Sequence, residues 1–114
     1  MNWLEHEYFM PVIIGNDGFS LKVAKRIYKS TGIKAHVFAE KFSVLQRLAF
    51  NCHKIAPQRD EFLLESLLSF AQSIEEYYCP VIVVCNDECR RIVERLSETI
   101  ESVFIVVDHQ ELFV

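Results

Sequence analysis

Two short runs concentrate the residues able to do chemistry. Gly15-Asn16-Asp17-Gly18-Phe19-Ser20 and Cys85-Asn86-Asp87-Glu88 each follow an apolar run and open an amphipathic one. A helix amino terminus behind a glycine turn offers backbone N–H groups to an anion. Carboxylates in the same place offer a seat to an amine. The first run invites a dinucleotide reading, and Glu40 lies about 20 residues on, where an acid would take a ribose hydroxyl. The spacing is Gly-x-x-Gly, however, not Gly-x-Gly-x-x-Gly, and Asp17 puts a negative charge where a pyrophosphate would lie. A tight strand-to-helix turn is the better reading of Gly15 and Gly18.

Other chemistry is thin. A phospho-acceptor receiver domain needs an aspartate after its third strand, and His53-Lys54-Ile55-Ala56-Pro57-Gln58 holds no acid. Asp108-His109 has the composition of half a catalytic pair, but adjacent residues at a strand end point different ways. His6, His36 and His53 have no catalytic setting, so no catalytic residue is assigned. Cys52, Cys79, Cys85 and Cys89 include no Cys-x-x-Cys and have no nearby histidine to complete a zinc set, so they read as structural thiols. Asp87-Glu88 with Asp17 has the charge for a hard cation, yet a solvated pair at a helix start explains it more simply. No metal is expected. Trp3, Tyr8 and Phe9 read as an apolar lead-in packed on the domain edge.

These residues need a scaffold, and two periods alternate to supply one. Pro11-Val12-Ile13-Ile14 is a run apolar on both faces, ending at Gly15, as a strand buried on both sides requires. From Phe19 to Thr31 the period is helical, with Ser20, Ala24, Ile27, Tyr28 and Thr31 on one face and Gly32 as a left-handed cap. Ala35–Ala39 is a second strand. Lys41–Phe50 allows a short helix, His53–Ala56 a weak third strand, and Pro57 closes it. Asp60–Tyr77 carries the strongest helical stripe, through Leu63, Leu64, Leu67, Leu68, Ala71 and Ile74. Pro80 is expected to break the chain before a fourth strand, Val81–Val84. A helix from Asp87 to Ile100 and a fifth strand, Val103–Val107, complete the series. Strand–helix alternation with Val/Ile runs predicts an α/β fold: three layers, a five-stranded, mainly parallel sheet, and helices on both faces. In such sheets ligands bind at the carboxyl ends of strands where the strand order reverses, which gathers the two runs and Glu40.

The whole chain sets limits on that site. Its 114 residues suit one domain, spanning 1–114, with about 65% of the unfolded surface buried on folding. Half the residues are apolar (51%), a composition that excludes disorder, and the net charge of −4 argues against a nucleic-acid partner. No signal peptide or bilayer-length apolar run is visible, so a cytoplasmic protein without a membrane partner is expected.

Phe9-Met10-Pro11-Val12-Ile13-Ile14-Gly15-Asn16-Asp17, followed by Phe19-Ser20-Leu21 and Thr31-Gly32-Ile33-Lys34, resembles the opening of ATP-grasp carboxylate–amine ligases. The likeness is to the peptidoglycan-bridge D-aspartate ligase type. Val83-Val84-Cys85-Asn86-Asp87 is similar to that family's strand ending in Cys-Gly-Asp, with Asn86 in place of the glycine. The resemblance implies a Rossmann-like pre-ATP-grasp domain, excised from a longer ligase and not catalytic alone. It places ATP and Mg²⁺ in the ATP-grasp module of the longer chain, which becomes this domain's partner, and no cofactor in the domain itself. Gly15, Asn16, Asp17, Gly18, Phe19, Ser20, Glu40, Asn86, Asp87 and Glu88 are then expected to line the cleft for an amino-acid-like substrate. A free-standing small-ligand or nucleotide-binding module of the same fold is the alternative.

Overall fold

Unbroken Val/Ile runs make strands with two apolar faces, and each face needs a helical cover. The computed structural model describes residues 2–113 and meets that need on both sides. Its strands are β1 (Phe9–Ile14), β2 (His36–Ala39), β3 (Asn51–Lys54), β4 (Cys79–Val84) and β5 (Ile105–Asp108). Its helices are α1 (Gly18–Thr31), α2 (Val44–Ala49), α3 (Asp60–Ser73), α4 (Asp87–Arg95), α5 (Ser97–Ile100) and α6 (His109–Leu112), after a 3₁₀ turn at Trp3–Glu5. The strand order is β3-β2-β1-β4-β5, and every neighbouring pair is parallel. The fold is a three-layer α/β sandwich of the Rossmann-like kind.

Strand residues alternate between two cores. Val12, Ile14, Ile82 and Val84 face α3 and α4, through Leu63, Leu67, Ile92 and Val93. Ile13, Val81 and Val83 face the opposite way, onto Val23, Ala24 and Ile27 of α1. The order explains the split. The chain steps outward from β1 through β2 to β3, then returns to build β4 and β5 on the other side of β1. Right-handed crossovers in two opposite directions must put their helices on opposite faces.

Two prolines lie inside central strands, where the missing N–H is normally excluded. Pro80 does not break the chain; it pairs with Met10 within β4. Cys79 donates its N–H to the Tyr8 carbonyl of the β1 side (2.8 Å), so the next residue turns its nitrogen toward β5. Pairing with β5 begins only at Val81. Pro11 is the mirror case, because pairing of β1 with β2 begins only at Val12. Each proline sits one residue before its outer neighbour starts.

Several boundaries differ from the sequence pattern for local reasons. α3 stops at Ser73, short of Tyr77, because the Ser73 hydroxyl donates back to the Phe70 carbonyl (2.7 Å) and Ile74 is extended. The segment Asp87–Ile100 is two helices, broken at Leu96 (φ −111°, ψ 22°), and Ile100 remains in the core beyond the break. β3 begins at Asn51 rather than His53, its start tied by the Asn51 amide to the Lys34 carbonyl (3.2 Å). On α1, Val23 takes the buried place expected for Tyr28, which is exposed. Gly32 ends α1 with φ +76°, the left-handed cap that its position implies. Phe9, read as part of the lead-in, is wholly buried in β1, while Trp3 packs at the rim of the α1-side core.

Candidate functional site

The strand order reverses between β1 and β4, and a cleft of about 420 Å³ opens at their carboxyl ends. Gly15, Asn16, Asp17, Glu40, Asn86 and Glu88 line it, above a floor that includes Ile14, Phe38 and Ala39. The turns from β1 to α1, β2 to α2 and β4 to α4 meet there, beside the β3–α3 connection.

Two asparagines lace those turns together. Asn86 caps α4, accepting the Cys89 N–H on its side-chain oxygen (2.7 Å). Its amide donates across the cleft wall to the Ile14 carbonyl (3.0 Å), the Ser20 hydroxyl (3.0 Å) and the Asp17 carboxylate (3.2 Å). Asp17 caps α1, accepting the Ser20 N–H (3.2 Å) and the Ser20 hydroxyl (2.6 Å). Asn16 reaches the other way, donating to the Lys41 carbonyl (2.6 Å) and to Gln46 (3.1 Å) in the capping box of α2. Gly15 makes the crossing possible. Its φ is +113°, and a Cβ there would stand 2.7 Å from the Asn86 amide nitrogen. This backbone favours glycine, and so does the space.

The two strand–Asn-Asp–helix sequences are therefore out of step by one residue. In the first the aspartate is the cap; in the second it is the asparagine, and Asp87 becomes the first helical residue. Asp87 is not among the cleft's lining residues, nor are Gly18, Phe19 and Ser20. Ser20 is wholly buried and serves the Asp17–Asn86 network, while Phe19 lies outside against the His109 ring (4.9 Å). The β3–α3 connection contributes Ile55, Pro57 and Gln58 to the lining, residues that lie outside the two runs and Glu40. The available signal was Pro57 itself, since the residues closing a third parallel strand fall on the same sheet edge.

Electrostatically the cleft is one-sided. Asp17, Glu40 and Glu88 line it, and none of its lining residues is Lys, Arg or His. No group of three or more metal-binding side chains with the geometry for an ion occurs among the described residues.

The remaining candidates are occupied elsewhere. Asp108 caps α6 through the Gln110 N–H (2.9 Å) and pairs with Arg90; these contacts hold its carboxyl below the usual range. His109 Nε2 lies 3.8 Å from Asp108, and its ring packs edge-on against Phe19. Burial pushes the thiols of Cys85 and Cys89 up to about 12, so both stay protonated core residues. Cys52 and Cys79 are half-buried, and all four cysteines are free. No helix of the described residues is long and apolar enough to cross a membrane.

Comparison of the chain with protein-family models, with curated proteins and with solved structures finds no match.

Proposed function

We propose that this chain is the amino-terminal, substrate-side domain of an ATP-dependent carboxylate–amine ligase, and that its switch-point cleft receives an amine-bearing, amino-acid-like substrate. The observation that carries the reading is the cleft's charge. Asp17, Glu40 and Glu88 face an opening with no basic side chain in its lining, so an ammonium group is attracted there. A triphosphate would bring its own negative charge against the same three carboxylates. The cleft residues therefore do not fit Mg·ATP. The resemblance of Phe9–Asp17 and Val83–Asp87 to carboxylate–amine ligases supplies the reaction: the carboxylate is activated as an acyl phosphate and joined to the amine. The domain's own part is to bind and orient a substrate beside an ATP-grasp module. On this reading the enzyme works in the cytoplasm, where ATP is at hand.

Two results test it. The gene is expected to continue beyond Val114 into an ATP-grasp module; a stop codon at that point would exclude the ligase. In the longer enzyme, Glu40→Gln or Glu88→Gln is expected to raise the KM for the amine substrate about tenfold, the loss of one charge-assisted contact. The KM for ATP should not change. Equal effects on both constants, or none on either, would remove the cleft from substrate binding.

A further inference from the structure

Beside the acidic cleft lies a second, larger hollow of about 800 Å³, between the start of α3 and the length of α4. The two share Pro57, Gln58 and Glu88, so they adjoin at those residues. Their charges differ. The chain has six arginines, and three of them, Arg59, Arg91 and Arg95, line this hollow, together with Asp60, Glu61 and Glu88. Arg95 is committed to Asp60 through two hydrogen bonds (2.9 and 3.2 Å). Neither Arg59 nor Arg91 forms an ion pair among the described residues. The Arg59 guanidinium lies over the Phe62 ring, 4.3 Å from its centroid, a contact that uses the flat face and leaves the N–H edge for an acceptor. Arg59 also occupies the cap position of α3 without a side-chain cap bond, so the first N–H groups of that helix have no side-chain acceptor from it.

We infer that this hollow is an anion subsite, in which Arg59 and Arg91 hold a single carboxylate or phosphate group. Arginine is suited to that task because its planar fork meets two acceptor oxygens at once. Glu61 and Glu88 keep the hollow balanced in charge, which selects a small anion seated between the guanidinium groups over an extended polyanion. From the cleft to the adjoining hollow the lining changes from three carboxylates to a mixed, arginine-bearing set. A ligand with an amine at one end and an anionic group at the other is aligned by that gradient. The subsite does not depend on the ligase reading, since it requires only the arginines and the hollow.

The experiment is an amide-resolved NMR titration of the chain with inorganic phosphate, and separately with acetate. Saturable shifts are expected at residues 59–62 and 88–92. Arg59→Gln and Arg91→Gln should each weaken them about tenfold, while Arg47→Gln, with the same charge change elsewhere, should leave them unchanged. Tighter binding of phosphate assigns a phosphate-bearing ligand, and equal or tighter binding of acetate assigns a carboxylate. Absence of saturation with both anions, or equal weakening by Arg47→Gln, would overturn the subsite. Either result leaves the test of Glu40, which lines only the acidic cleft, untouched, so the two readings fail separately.

Discussion

At the scale of single residues, Asn86 does more than its place in the sequence suggests. It caps α4 and ties that helix start to Ile14, Asp17 and Ser20 of the neighbouring turn. Asn86→Ala removes the cap and leaves the half-buried network short of a donor, so it is expected to cost about 2–3 kcal/mol in urea unfolding. Asn86→Asp keeps a capping oxygen but sets a second carboxylate against Asp17 and the Ile14 carbonyl. Its loss should match or exceed that of alanine at pH 7. A fully stable aspartate variant at pH 7 would mean that the Asn86 amide does not tie the two turns together. The caps also separate two aspartates that look equivalent. Asp17→Ala should cost about 1 kcal/mol, whereas Asp87→Ala, which only removes a charge from the first turn, should cost about 0.5 kcal/mol or less. Equal losses would contradict the one-residue offset between the turns.

Elements were legible wherever burial dictates period. The Val/Ile runs and the leucine stripe of α3 specify strands and helix because few other arrangements bury them, and the five-stranded sheet with two helical faces follows. Ends were less legible, because hydrogen bonds set them: the Ser73 hydroxyl stops α3, and tertiary register admits Pro80 into β4. The cleft shows the same division. The sheet edge placed Gly15, Asp17, Glu40 and Asn86 together, but period alone does not reveal that Ser20 faces inward or that Asp87 stands outside. An element-scale prediction concerns β2 and β3. His36 Nδ1 and His53 Nε2 lie 2.9 Å apart, against the rings of Phe38 and Phe70. Burial, and then the neighbouring His53, lowers the His36 pKa from 6.5 to about 4; burial lowers that of His53 as well. The unfolded chain therefore binds more protons than the folded one between those values. Stability should fall as the pH drops from 6.5 toward 4 and be regained above 6.5. His36→Phe should flatten that slope in urea midpoints measured across the range, and an unchanged slope would assign the acid sensitivity to other groups.

At the scale of the whole molecule, net charge and local charge point the same way. The chain carries −4 overall, and its switch-point cleft, with no basic residue in its lining, adds Asp17, Glu40 and Glu88 at the edge where α/β sheets bind ligands. The sequence supplies no phosphate loop of the usual glycine spacing and no lysine beside it. The fold thus resembles a nucleotide-binding sheet while its electrostatics oppose a nucleotide. Calorimetric titration of the chain separates these influences. Mg·ATP should give no saturable heat, whereas glycinamide, a small cation at neutral pH, should bind weakly. Neutralising Glu40 and Glu88 together should abolish the glycinamide signal, and added salt should weaken it in the parent chain, because exposed charges are screened over about 8–10 Å at moderate ionic strength. A micromolar dissociation constant for Mg·ATP, worth about 8 kcal/mol, would instead make the chain a nucleotide-binding module. Glycinamide binding indifferent to both salt and the paired substitution would show that the carboxylates do not select the ligand.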